Sequence, residues 1–227
     1  MNDPDARPRQ SGGSRRWSPG LAYYARENGL LIEAGTKVDC VFIGDSITEL
    51  WLKRRPDFFG PGMICRGISS QTTPQMLVRF RADVVALKPH IVHIMGGTND
   101  IAGMTGPSSP GVIVDTIATM AELAMVHGIR IVIASITPAI RHPWAPSTDP
   151  RPEIQEVNLR LRHYAMHIGA SYADYHTVLD DGQGGVAPGL SVGDVHPSGR
   201  GYRAMEPVAR AAIENARLQP VYTLRSV

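Results

Sequence analysis

The stretch VDCVFIGDSITELW, residues 38–51, changes character in the middle. Its first half is a short apolar run closed by Gly44, the mark of a strand buried on both faces. Ser46 stands just after that strand and opens a helical pattern. The same theme then repeats. Residues 64–65 offer a weaker strand. Residues 73–87 carry Met76, Leu77, Phe80, Val84, Val85 and Leu87 near helical spacing, and residues 91–95 are again strand-like before Gly96 and Gly97. Residues 112–126 predict a helix stopped by Gly128. Residues 131–136 form the most β-rich run, ahead of Pro138. Residues 153–168 predict a helix, with Ile154, Val157, Leu161, Tyr164, Ala165 and Ile168 facing inward. Residues 171–175 predict a last short strand, and residues 202–218 a closing helix. Apolar strands alternating with helices specify βαβ units on a mostly parallel sheet, hence an α/β sandwich of about five strands.

Working outward, residues 1–20 are mostly Pro, Gly, Ser, Arg and Asp and are expected to form a disordered basic tail, because ordering them would cost entropy without burying apolar surface. A short helix over residues 21–28 should follow, with Tyr23, Tyr24 and Leu30 packing onto the body and Gly29 ending it. Residues 21–227 then make a single domain with no internal linker. The 227 residues are 43% hydrophobic and 19% charged, enough for a sizeable core. The net charge of +2 is accounted for by the tail, so the body is neutral. Nucleic-acid binding is therefore not expected. No apolar run approaches the roughly 18 residues of a membrane span, and the N-terminus lacks a signal h-region, so a cytoplasmic protein without membrane insertion is expected. Cys40 and Cys65 read as buried reduced cysteines rather than a disulfide framework.

Parallel sheets present their reactive residues beyond the carboxyl ends of the strands. Four clusters fall there: GDSIT (residues 44–48), RGISS (residues 66–70), GGTND (residues 96–100) and DVHP (residues 194–197). A serine hydroxyl needs a base to become a nucleophile. Ser46, His196 and Asp194 supply nucleophile, base and orienting carboxylate. The backbone N–H of Ser46, the N–H of Gly67 and the side-chain amide of Asn99 can converge on developing negative charge. Taken singly, Ser46 could be a helix cap, Asn99 a turn residue and His196 a surface histidine; their convergence on one sheet edge favours acyl transfer. Asp45 and Asp100 are expected to brace their loops. GLSVG, residues 189–193, matches the G-x-S-x-G elbow but lacks the strand before and helix after that the motif needs. His163 and His167 have the spacing of a metal pair without further ligands, and His93 reads as a core histidine. No metal or organic cofactor is called for.

Read together as FIGDSIT, RGISSQTT, GGTND and DVHP, the four blocks resemble the SGNH hydrolases of the GDSL esterase/lipase superfamily. The opening GDSITELW is most similar to the branch holding the catalytic subunits of platelet-activating factor acetylhydrolase and bacterial small-ester esterases. The resemblance spans about residues 38–215. It implies a three-layer, flavodoxin-like fold with strand order 2-1-3-4-5, and it assigns Ser46, Gly67, Asn99, Asp194 and His196 the roles just described. One departure is Ser70, where the family more often has Gly, so the turn after Gly67 is expected to differ. The implied activity is hydrolysis of a small, short-chain ester, acetyl foremost, through an acyl-enzyme. The alternatives are a thioesterase or a carbohydrate O-deacetylase using the same site, or a catalytically silent binding protein. The proline-rich loop at residues 138–152 offers Trp144 and His142 as substrate contacts. The sequence leaves the oligomeric state open.

Overall fold

A computed structural model describes residues 19–221, and the first 18 residues of the expected tail lie outside it. Five strands form one parallel sheet in the order β2-β1-β3-β4-β5: β1 Cys40–Gly44, β2 Met63–Gly67, β3 Ile91–Met95, β4 Arg130–Ala134 and β5 Ser171–Ala173. Alternation along the strands explains their continuous hydrophobicity. Val41, Ile43, Val92, Ile94, Ile131 and Ile133 face one layer, built on α3 (Thr73–Asp83), α5 (Pro110–Val126) and α6 (Arg151–His167). Cys40, Phe42, Val132, Ala134 and Ala173 face the other, built on α2 (Ser46–Arg54), α7 (Tyr175–Leu179) and α8 (Gly199–Arg217). The result is the three-layer α/β/α sandwich that the sequence implies. No helix among the described residues is long and apolar enough to cross a membrane.

The differences from the sequence reading lie at element ends. The first helix, α1, runs Ala25–Glu33, so Gly29 sits inside it and Gly35, at φ +60°, stands just beyond its end. Tyr24 is buried as expected, but Leu30 points outward and is 56% exposed. Strand β5 stops at Ala173 because Asp174 caps a new short helix, accepting from the Thr177 N–H. That places Tyr175 in the core, its hydroxyl 2.8 Å from Nε2 of the buried His93. The α3 helix ends at Asp83, and a single 3₁₀ turn (Val85–Leu87) completes the segment. Two elements escape periodicity by being too short for it: the one-turn α4 (Thr98–Ile101) and the hairpin of β6 (Ser191–Val192) with β7 (His196–Pro197). Ser191 thus lies in a hairpin arm, not on a strand-to-helix elbow.

Candidate active site

The register of the sheet sets the site. Gly44 pairs with Gly67 on β2 and with Met95 on β3, so three strands end level with one another. Both glycines are sterically required. A Cβ on Gly44 would lie 2.1 Å from Thr48 Oγ1 and 2.7 Å from the Met95 carbonyl, and one on Gly67 would lie 2.2 Å from the Glu49 nitrogen. Helix α2 can therefore start hard against the ends of both strands. Asp45 caps it by accepting from the Ile47 N–H at 2.9 Å, which leaves Ser46 as the first helical residue with its N–H at the positive end of the helix.

The structure brings together residues that are far apart in the chain. Ser46 Oγ is 3.0 Å from His196 Nε2. His196 comes from β7, whose position is fixed by Arg54 of α2 donating to the Pro197 carbonyl and by the Ser198 N–H donating to Leu190 at 2.8 Å. Burial, reinforced by the Arg54 guanidinium, pushes the His196 pKa down. The ring is thus neutral and able to accept a proton near neutrality.

Asn99, 3% exposed, lies in α4, which is entered through Gly97 at φ +120°. Its Nδ2 donates to the Gln71 carbonyl at 2.9 Å and over a long 3.4 Å to Asp45 Oδ2. Asp100 accepts from both the N–H and the hydroxyl of Thr73, tying the β3 loop to α3. Burial raises the Asp45 pKa to about 7, with the carboxylate of Asp100 adding to the shift. The loop after Gly67 is held to α2 by Glu49, which accepts from the Ser69 N–H at 2.8 Å and from its hydroxyl at 2.5 Å. Ser70 there adopts φ +67°, the left-handed conformation that glycine takes freely. This is the physical content of the expected difference in that turn.

Asp194 is two residues from His196, but its carboxylate accepts from Arg141 Nε at 2.9 Å; among the described residues no hydrogen bond joins it to the imidazole. Trp144 is half-buried with its ring centroid 6.2 Å from that of His196. His142 stacks behind it at 5.6 Å and is fully buried, so it supports Trp144 rather than presenting a surface of its own. His163 and His167 lie exposed on α6.

Sequence reasoning missed Arg54, Arg141 and Gln71. Arg54 was readable, since it lies eight residues after Ser46 and so on the same helix face. Arg141 adjoins the loop residues His142 and Trp144, but nothing in a loop's sequence indicates its partner. Gln71 acts through its backbone carbonyl, which no side-chain pattern reveals.

Similarity to known proteins agrees with this architecture. Residues 42–204 match the model of the GDSL-like lipase/acylhydrolase family. A GDSL-like lipase from Bacteroides thetaiotaomicron is 37% identical, with 87% of this chain and 98% of that one covered and a TM-score of 0.82. A Bacteroides fragilis protein is 36% identical over 88% of this chain and 98% of its own, also with a TM-score of 0.82. An acetyl-xylooligosaccharide esterase from Geobacillus shares the fold at 18% identity and a TM-score of 0.61, covering 85% of this chain and 98% of that one. No curated protein sequence matches. The chain belongs to the GDSL-like lipase/acylhydrolase family. It is a carboxylic ester hydrolase.

Proposed function

We propose that this enzyme hydrolyses short-chain esters, acetyl foremost, through an acyl-enzyme on Ser46. The observation that carries the reading is the 3.0 Å contact between Ser46 Oγ and His196 Nε2 at the start of α2, beside the level ends of β2 and β3. Ser46 Oγ attacks the ester carbonyl carbon as its proton passes to His196 Nε2, and the carbonyl electron pair moves onto oxygen. That oxygen accepts from the Ser46 N–H and from Asn99 Nδ2, whose long contact to Asp45 is the one it gives up. The Gly67 N–H expected from the sequence to join them points instead to the outer side of β2, because the Ile68 N–H is the one that faces β1. The tetrahedral adduct then collapses, and His196 returns its proton to the departing alcohol. Water, deprotonated by His196, attacks the acyl carbon and releases the acid and Ser46. In this cycle Asp194 leaves Arg141 for Nδ1 of the imidazolium, which its position two residues away allows.

A preference for acetyl rests on the family resemblance and on the fold shared with the Geobacillus acetyl-xylooligosaccharide esterase. The flat face of Trp144 beside His196 favours, as a second reading, an acetylated sugar as the alcohol portion. Fluorophosphonate labelling that disappears in Ser46→Ala, together with loss of p-nitrophenyl acetate hydrolysis, is the expected result. Unchanged hydrolysis in that variant would sink the nucleophile assignment, and absent labelling of the wild type would favour a silent binding protein. A chain-length series of esters and thioesters, run beside acetylated sugars, reads out the acyl and leaving-group preference.

A further inference from the structure

Arg79 of α3 has a fully buried side chain, and its guanidinium plane meets three separate segments of the site. Nη2 donates to the Gly44 carbonyl at 2.8 Å, at the end of the strand that leads into Asp45 and Ser46. Nη1 donates to the Arg66 carbonyl at 2.8 Å. Nε donates to Gln71 Oε1 at 2.6 Å, and the backbone carbonyl of that same Gln71 holds Asn99 Nδ2. Its charge is balanced by Asp83 at 2.9 Å, itself anchored by Asn28 at 2.7 Å.

The contact with the Arg66 carbonyl fixes the end of β2 against the end of β1. The N–H of Gly67 lies on the outer side of that strand, away from β1, and is not among the groups Arg79 aims. The next peptide is fixed as well, because the Gly67 carbonyl accepts from the Tyr24 hydroxyl at 2.5 Å. Satisfying these carbonyls needs no cation. A neutral donor or a water would do so without the desolvation cost of burying a guanidinium. What only arginine offers is a rigid fork of donors that fixes three chain segments relative to one another.

We propose that Arg79 is a positioning residue of the esterase, acting through Gln71 and the end of β1 to set the direction of the oxyanion donors Asn99 and Ser46. This rests on the donor assignment given under the proposed function. Arg79→Lys keeps a cation beside Asp83 but loses the fork. Gln71→Met removes one anchor while leaving the Arg79–Asp83 pair intact. Both are to be measured per active site, titrated to completion with a fluorophosphonate, using p-nitrophenyl acetate turnover. Alongside go two inhibitors: a phenyl trifluoromethyl ketone, which adds Ser46 Oγ to form an oxyanion, and acetophenone, which only occupies the site.

For Arg79→Lys, kcat should fall about tenfold to a hundredfold, short of the loss expected for deleting a donor outright. KM and the acetophenone Ki should stay within about twofold, because the loss is confined to the charged adduct. The Ki of the trifluoromethyl ketone should rise by the same factor as kcat falls. Gln71→Met should move the same quantities in the same direction by less, and it decides alone if Arg79→Lys does not fold. Wild-type per-site kcat and ketone Ki in the folded variants, or a loss carried by KM, would overturn the proposal. Asn99→Ala serves as the benchmark. If it weakens the ketone while the Arg79 and Gln71 variants do not, only Arg79's role fails. If it too leaves the ketone's Ki unchanged, the oxyanion reading falls and this inference with it.

Discussion

Asn99, a proposed donor, is buried just beyond the end of β3, and the segments around it are pinned by Asp100, Glu49 and Arg79. His196 and Asp194, the proposed proton-transfer pair, sit instead in a two-stranded hairpin, with the Asp194 side chain 30% exposed and bound to Arg141. The two halves of the site have different physical tasks. Donors to a developing charge contribute most when they need little reorganisation as the charge appears. A base must take up a proton, release it and let substrate and water pass. A rigid buried lattice suits the first task, and a partly exposed hairpin suits the second.

The largest expected effect tests the hairpin side. Asp194→Asn should lower kcat by about 10³- to 10⁴-fold in a p-nitrophenyl acetate assay, as for an orienting carboxylate elsewhere. A loss under tenfold would mean that the Arg141 pairing seen in the structure persists through turnover. Next comes the lattice side: Asn99→Ala should cost about 10² to 10³ in kcat with little change in KM. A loss confined to KM would place Asn99 in ground-state binding and remove the contrast between the halves.

The acid limb of kcat/KM should have its midpoint below pH 6.5, since His196 must be neutral to act as base and its pKa is lowered. Arg54→Gln removes a repelling cation, so the protonated ring is less disfavoured and the midpoint should move up; a downward move would exclude that cause. Arg141→Ala frees Asp194 and should raise kcat/KM by no more than about fivefold, the value of an exposed ion pair. A large fall would show Arg141 to be part of substrate binding. Smallest of all, Ser70→Gly should stabilise the protein by about 1 kcal/mol in urea denaturation by relieving the left-handed backbone. Destabilisation would mean that the Ser70 side chain is needed in the turn.

The same contrast governs what could be read from the sequence. The α/β sandwich and the clustering of Ser46, Gly67, Asn99 and His196 at one edge followed from apolar periodicity and the parallel-sheet rule, because burial on two faces leaves a strong trace in residue type. The strand order came only from the family resemblance. Boundaries drifted where a local cap overrode the pattern, as when Asp174 cut β5 short. The lattice itself was barely legible. Arg79 falls among other polar residues of an amphipathic helical pattern, and two of its partners are backbone carbonyls, which every residue possesses. The Asp194–Arg141 pair joins loop positions 53 apart, a separation no local pattern encodes.

One contact spans far more chain than that. Ser46 and His196 are 150 residues apart, with the base on the final hairpin before α8. During synthesis, a chain extended only through α6 already contains the nucleophile and every proposed donor, yet it has nothing to accept the serine's proton. On the proposed mechanism, hydrolysis begins only after the β6–β7 hairpin has closed onto the edge of the sheet. The appearance of activity in a refolding or cell-free translation time course should then coincide with the docking of that hairpin.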